Sequence, residues 1–228
     1  MATSTAPVRA ASRTSRTSAA KAASASAVLF AVAFFLTVAT VNVPHKATDA
    51  ELLDWWQKSA NLNAGIASEL FAIAAAVLFM VVINYFRSLT IRAHAGHEHW
   101  TAFAHSMGTA FACTLLVSSA LRGVVGHLVK VQDEPLPGLD VLRYTTALNY
   151  SLIGTATMAV CALAIGAVSV VVIRTQVLGT WVGYVGVVCT AVILIAVFAL
   201  LGALAIPMAL LWAVCLAVAI WRQPAALV

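Results

Sequence analysis

The stretch between Arg174 and Arg222 places the strongest constraint on the fold of this chain. Its 47 residues, from 175 to 221, include no Asp, Glu, Lys, Arg or His. A single helix of that length would be about 70 Å long, whereas the hydrocarbon core of a bilayer is about 30 Å thick. We therefore predict two membrane-crossing helices with a break near residues 202–206. Pro207 would lie in the first turn of the second helix, where its missing N–H costs no hydrogen bond.

Similar apolar runs recur along the rest of the chain. Hydrophobic residues make up 62% of it and charged residues only 9%, compared with roughly 25% charged residues in soluble domains. We predict an all-α polytopic membrane bundle of six transmembrane helices plus one short interfacial helix. The predicted membrane domain covers residues 27–222, with spans at residues 27–43, 62–86, 101–125, 145–173, 178–201 and 205–221.

Residues 1–26 differ in composition from this domain. They are rich in Ala, Ser and Thr and carry four basic residues but no acidic one. This composition predicts a disordered cytoplasmic tail, and it also fits an organelle transit peptide. The apolar run that follows favours a retained first helix over a cleaved signal peptide, because about 26 residues is a long n-region.

The polar segment after the first span is predicted to form the interfacial helix. Thr48 and Glu51 have the spacing of a capping box, and Trp55 and Trp56 follow at positions typical of headgroup-level aromatic residues. The interpretation as a structural anchor is favoured, and an aromatic substrate-binding patch is the alternative.

The distribution of basic residues predicts the orientation. With a cytoplasmic N-terminus, eight of the thirteen Lys and Arg residues belong to inner segments and five to the outer half. The positive-inside rule then places both termini in the cytoplasm of a multi-pass protein of the cell membrane. The lipid bilayer is the expected partner, and the net charge of +5 is not interpreted as a nucleic-acid signal.

Glu69 is the single acid in the second apolar run. Gly65 lies four residues before it, so small residues share its helix face and Glu69 is expected to face the bundle. An isolated charge at mid-bilayer costs roughly 2.5–3.5 kcal/mol even on insertion scales, so Glu69 is expected either to be protonated or to form an ion pair with Arg122. We predict a buried polar cluster that consists of Glu69, Arg122, Asn149, Tyr150 and Ser118. The favoured interpretation is a static pair that fixes helix register, and the alternatives are a site coupled to proton or solute movement, or no contact between Glu69 and Arg122.

The loop after the second span is rich in histidine. His94, His97 and His99 could ligate a transition metal, although their spacing is not diagnostic and a solvated loop is the simpler interpretation. No zinc-protease, nucleotide-binding or nucleophile-elbow motif occurs, and no cofactor is predicted.

Gly179 and Gly183 form a G-x-x-x-G motif in the fifth span. Such motifs let membrane helices approach closely. Here the motif favours packing within the chain, with self-association as the alternative.

Three segments carry a resemblance to a known family. They are Asp49-Ala-Glu51-Leu-Leu-Asp54-Trp55-Trp56, the basic loop after the second span, and Val177-Leu-Gly179-Thr-Trp181-Val-Gly183. The chain resembles, over residues 27–222, a family of small multi-span membrane proteins of actinobacteria that is defined by a domain of unknown function. The resemblance implies a six-helix bundle in the cell membrane, and it implies no activity or catalytic residue.

The sequence thus favours a non-enzymatic integral membrane protein that acts as a structural or accessory partner of other membrane proteins. A small proton-coupled transporter that uses Glu69 is the first alternative. A membrane protein that binds metal through the loop of residues 94–99 is the second.

Overall fold

The computed structural model describes residues 6–44, 48–93 and 98–222, with side chains from residue 17 onward. These ranges contain helices and no β-strand, which confirms the predicted all-α class. The elements are α1 (Ala6–Ala39), α2 (Asp49–Gln57), α3 (Ser59–Arg92), α4 (Glu98–Lys130), α5 (Leu139–Ser151), a π-helical turn (Leu152–Thr157), α6 (Met158–Thr175), α7 (Thr180–Phe198), a 3₁₀ turn (Gly202–Ala205) and α8 (Ile206–Trp221).

Six helical segments are long and apolar enough to cross a membrane. They are Thr17–Ala39, Ser59–Arg92, Glu98–Lys130, Leu139–Thr175, Thr180–Phe198 and Gly202–Trp221. Their number and order agree with the predicted spans. Several are longer than predicted because the helices continue into polar ends on both sides of the apolar run.

The break in the charge-free stretch begins slightly before the predicted residues 202–206, because α7 ends at Phe198 and the chain turns at residues 199–201. After α7 the N–H of Leu201 donates to the carbonyl of Ala196 at 2.7 Å, and Leu200 takes a left-handed φ of 60°. This geometry closes the helix and turns the chain toward α8. Pro207 lies in the first turn of α8, as predicted.

The expectation of a disordered tail over residues 1–26 is corrected by α1, which begins at Ala6 and continues into the first span. Residues 1–5 lie outside the described ranges. Alanine is the strongest helix former, and the small residues Ala20, Ala23 and Ser24 are buried. The Ser24 hydroxyl donates to the carbonyl of Ala217 on α8 at 2.9 Å, so packing on α8 orders this part of the helix.

The short helix α2 begins with the predicted capping box. The backbone N–H of Thr48 donates to the carboxylate of Glu51 at 2.8 Å, and the N–H of Glu51 donates back to the Thr48 hydroxyl at 3.4 Å. Leu52 and Trp56 are buried in a small apolar cluster with Val43 and Leu142. We call this side of the bundle the α2 end.

The main core lies between the α2 end and the opposite end of the bundle. At its centre the rings of Phe30 and Phe34 on α1 meet Phe79 on α3 and Phe111 on α4, with centroids 4.8–6.1 Å apart. These aromatic contacts join α1, α3 and α4, the same three helices that meet in the polar cluster described next.

Candidate functional site

Arg122 is a buried cation on α4, with 4% of its surface exposed. Its Nη1 donates to the carbonyl oxygen of Thr37 at 2.5 Å and to the hydroxyl of Ser68 at 3.3 Å. The guanidinium therefore joins α4 to α1 and α3.

The carbonyl of Thr37 belongs to the last turn of α1, where backbone oxygens have no partner within the helix. The Ser68 hydroxyl donates to the same oxygen at 2.6 Å. The end of a helix also carries partial negative charge, which favours a nearby cation. Arg122 and Ser68 together cap α1, and the helix end takes the place of an acidic partner for the arginine.

Asn149 extends this network to α5. The side-chain amide is oriented so that both its nitrogen and its oxygen have a hydrogen-bond partner. Nδ2 then donates to the backbone carbonyl of Ser118 at 2.9 Å, and Oδ1 accepts from Nε of Arg122 at 3.2 Å. Ser118 thus contributes its carbonyl, while its hydroxyl donates to Leu115 within α4 at 2.9 Å. The predicted grouping of Arg122, Asn149 and Ser118 is present, and with Thr37 and Ser68 the network links four helices.

Tyr150 lies beside this network at the α2 end. Its hydroxyl donates to the carbonyl of Val43 at 3.1 Å. Val43 belongs to the non-helical segment that follows α1, so Tyr150 fixes that segment against α5.

The predicted ion pair between Glu69 and Arg122 is wrong. The carboxylate of Glu69 instead contacts Nε2 of His127 at 2.9 Å, and the two side chains are 22% and 43% exposed, respectively. The pair lies in the groove between α3 and α4, at the edge of the buried network.

The directions in which the two side chains point explain why Glu69 pairs with His127. Residues on a helix tilt toward its N-terminus, so on antiparallel α3 and α4 the side chains of Glu69 and His127 lean toward each other. Gly123 leaves the space between them open, because a Cβ at that position would overlap Oε2 of Glu69. The sequence puts Glu69 and Arg122 at comparable depth below the outer ends of their helices, which is why it favoured the wrong pair.

The sequence interpretation missed three residues of the site: Thr37, Ser68 and His127. Thr37 contributes its backbone carbonyl, and because every residue has one, the residue type gives no signal for this contact. Ser68 had a usable signal because it directly precedes Glu69 in the predicted second span. His127 had one because it is a polar residue five positions after Arg122, just past the predicted third span.

Glycines allow α3 and α4 to approach closely at this site. A Cβ at Gly65 would lie 3.0 Å from the carbonyl oxygen of Arg122, and one at Gly126 would lie 2.6 Å from that of Leu62. The predicted packing role of Gly65 therefore corresponds to a real contact with α4.

The two glycines of the G-x-x-x-G motif have different surroundings. A Cβ at Gly183 would lie 2.6 Å from the side chain of Ile173, so Gly183 packs within the chain, between α7 and α6. Gly179 precedes α7 as its N-cap residue, and a Cβ there would meet the ring of Trp181 rather than another helix.

The histidine-rich loop is only partly described. His94 and His97 lie outside the described ranges, and His99 is exposed in the first turn of α4. Among the residues that the structure describes, no three His, Cys, Asp or Glu side chains are grouped as metal ligands.

Two chemically different units thus lie side by side at the α2 end. Arg122 contacts one helix end, one hydroxyl and one amide, whereas Glu69 and His127 form a carboxylate–imidazole pair. No family model, curated protein or solved structure matches this chain.

Proposed function

We propose that this chain is a non-enzymatic integral membrane protein that serves as a structural or accessory partner in a membrane assembly. The observation that supports it is the use of the Arg122 guanidinium, which donates to groups on α1, α3 and α5. A buried cation that is hydrogen-bonded to three neighbouring helices fixes their positions, because leaving any of these groups unpaired costs about 1–3 kcal/mol.

The proposed setting is the cell membrane, with both termini in the cytoplasm and the α2 end outside. The excess of Lys and Arg in the inner segments supports this orientation. The resemblance to the actinobacterial multi-span family is part of the same proposal.

A proton-coupled transporter is the second candidate. The pair of Glu69 and His127 favours it, because a carboxylic acid and an imidazole, the side chains that form proton relays in membrane transporters, contact each other and are partly exposed at the groove between α3 and α4. A site of this kind could exchange protons with one side of the membrane. Metal binding through residues 94–99 is the third candidate, and elemental analysis of the purified protein would test it.

Proton flux into liposomes separates the first two candidates. Purified protein is reconstituted with a pH-sensitive dye inside the vesicles, and a pH gradient is applied with and without a membrane potential. The structural proposal predicts that wild type and Glu69→Gln both acidify the lumen no faster than protein-free vesicles do. Glutamine retains a hydrogen-bonding group toward His127, so this variant should still fold.

Wild-type flux that disappears in folded Glu69→Gln would contradict the structural proposal and favour the transporter. Arg122→Lys is the matched comparison, because it alters the neighbouring network and retains Glu69 and His127. Flux that survives Arg122→Lys but not Glu69→Gln would assign proton movement to the pair.

A further inference from the structure

The hydroxyl of Thr157 is a buried polar group that does not belong to the network of Arg122. Thr157 has 0% of its surface exposed, and its Oγ1 has no hydrogen-bond partner among the residues that the structure describes. A buried hydroxyl without a partner is unfavourable, because it has given up its hydrogen bonds to water and gained none in return. In a folded protein such a group often marks the position of a bound water or ion.

Other threonines in the same helical span satisfy their hydroxyls within the helix. Thr146 and Thr175 each donate to the carbonyl four residues earlier, at 2.8 and 2.7 Å. Both lie in α-helical turns, whereas Thr157 is the last residue of the π-helical turn Leu152–Thr157. A π-helix pairs residues five apart instead of four, which displaces the carbonyl one turn back from its α-helical position. Thr157 therefore does not reach the acceptor that the other two threonines use.

The π-helical turn also contains backbone acceptors with incomplete hydrogen bonding. Where i→i+5 pairing returns to i→i+4 pairing, two successive carbonyls share one N–H, so one of them is short of a donor. The turn is held in this form by the segment between α7 and α8, because a Cβ at Gly202 would overlap the carbonyl oxygen of Gly154. A donor without an acceptor and an acceptor short of a donor thus lie in one buried turn.

The π-helical turn also determines the direction and depth of Thr157. It adds about one residue to the helical repeat, so the eight residues from Asn149 to Thr157 correspond to two ordinary turns. Thr157 therefore shares the face of Asn149, which contacts Ser118 on α4. It lies about 12 Å further along the helix than Asn149, and hence near the middle of the span Leu139–Thr175.

We propose that Thr157 and the π-helical turn bind a buried water molecule near the middle of the bundle. The hydroxyl donates to the water, and the water donates to a carbonyl of the turn, so each polar group gains a partner. Water fits better than an ion, because residues 144–173 contain no Asp, Glu, Lys, Arg or His to balance a charge. This site goes beyond the proposed function, and it does not depend on whether the chain moves protons.

Solid-state NMR of the protein in lipid bilayers tests the site directly. With 13C-labelled threonine, magnetisation that starts on water reaches a threonine Cβ rapidly only where water lies beside it, and Thr157→Ser identifies the Thr157 signal by its loss. Thr37 is the matched control, since it is also 0% exposed but its hydroxyl donates to a carbonyl of its own helix at 2.9 Å. Transfer to Thr157 should be at least threefold faster than transfer to Thr37, and equal rates would overturn the proposal.

Thermal unfolding in detergent gives an independent measurement in which the sign of the change decides. If water satisfies the hydroxyl, Thr157→Val removes a hydrogen bond and should lower the unfolding midpoint by about 2–4 °C. If the hydroxyl is unpaired, the same substitution removes an unfavourable group and should raise the midpoint. Thr146→Val is the control and should change it less, because the carbonyl that Thr146 contacts keeps its helical N–H partner. An unchanged or raised midpoint for Thr157→Val would overturn the proposal.

Discussion

Arg122 on α4 donates to the carbonyl oxygen of Thr37 in the last turn of α1, 85 residues earlier in the chain. The contact places a buried cation at the negative end of a helix instead of beside a carboxylate. It leaves Glu69 free to pair with His127, so the two charged elements of the α2 end have separate roles. The arginine holds helices together, and the acid pairs with His127 at the groove.

Gly126→Ala should destabilise the bundle by about 1–3 kcal/mol, the usual cost of overpacking a close contact. The added Cβ would lie 2.6 Å from the backbone oxygen of Leu62, and backbone cannot rotate away as a side chain can. Gly138→Ala is the control, since no atom lies within 4 Å of its Cβ position. Thermal unfolding in detergent measures both variants, and equal midpoints would argue against the close approach of α3 and α4.

Acidification should release the capping box of α2. The hydrogen bond from the Thr48 backbone N–H to Glu51 holds the pKa of that carboxyl below its ordinary value. A group whose pKa is lowered in the folded state stabilises that state at pH values above its ordinary pKa. This stabilisation is lost as the pH falls through the lowered pKa. Tryptophan fluorescence, which includes Trp55 and Trp56, should therefore stay constant from neutral pH to about pH 5 and change below about pH 4.

Glu51→Gln is the matched variant for this acid response. Glutamine can make the same hydrogen bond to the N-cap residue but does not titrate. The fluorescence of the Glu51→Gln variant should lack the part of the acid transition that comes from α2 in the wild type. An identical transition in both proteins would assign the response to other carboxyl groups.

The sequence predicted those features that depend on local pattern. The length of the apolar runs determines the number of spans, and the spacing of Thr48 and Glu51 determines the start of α2. The chemistry of Pro207 determines where α8 begins. Each of these requires information from only a few neighbouring residues.

The features that the sequence did not predict depend on contacts between distant elements. Ser24 is ordered by α8, nearly 200 residues away, so the composition of the tail alone suggested disorder. The choice between Arg122 and His127 as the partner of Glu69 depends on side-chain tilt and on the space left by Gly123. The carbonyl of Thr37 becomes a binding group only because α1 ends there.

The free energy of unfolding of Arg122→Lys, compared with that of Arg143→Lys, tests the central claim most directly. Lysine keeps the charge but offers one ammonium group, which cannot reach both Thr37 and Asn149 as the guanidinium does. We expect Arg122→Lys to lose about 1–3 kcal/mol. Arg143 pairs with Asp49 at an exposed position, so Arg143→Lys should lose less than about 1 kcal/mol. Equal and small losses in both variants would contradict the account of Arg122 as the residue that holds α1, α3 and α5 together.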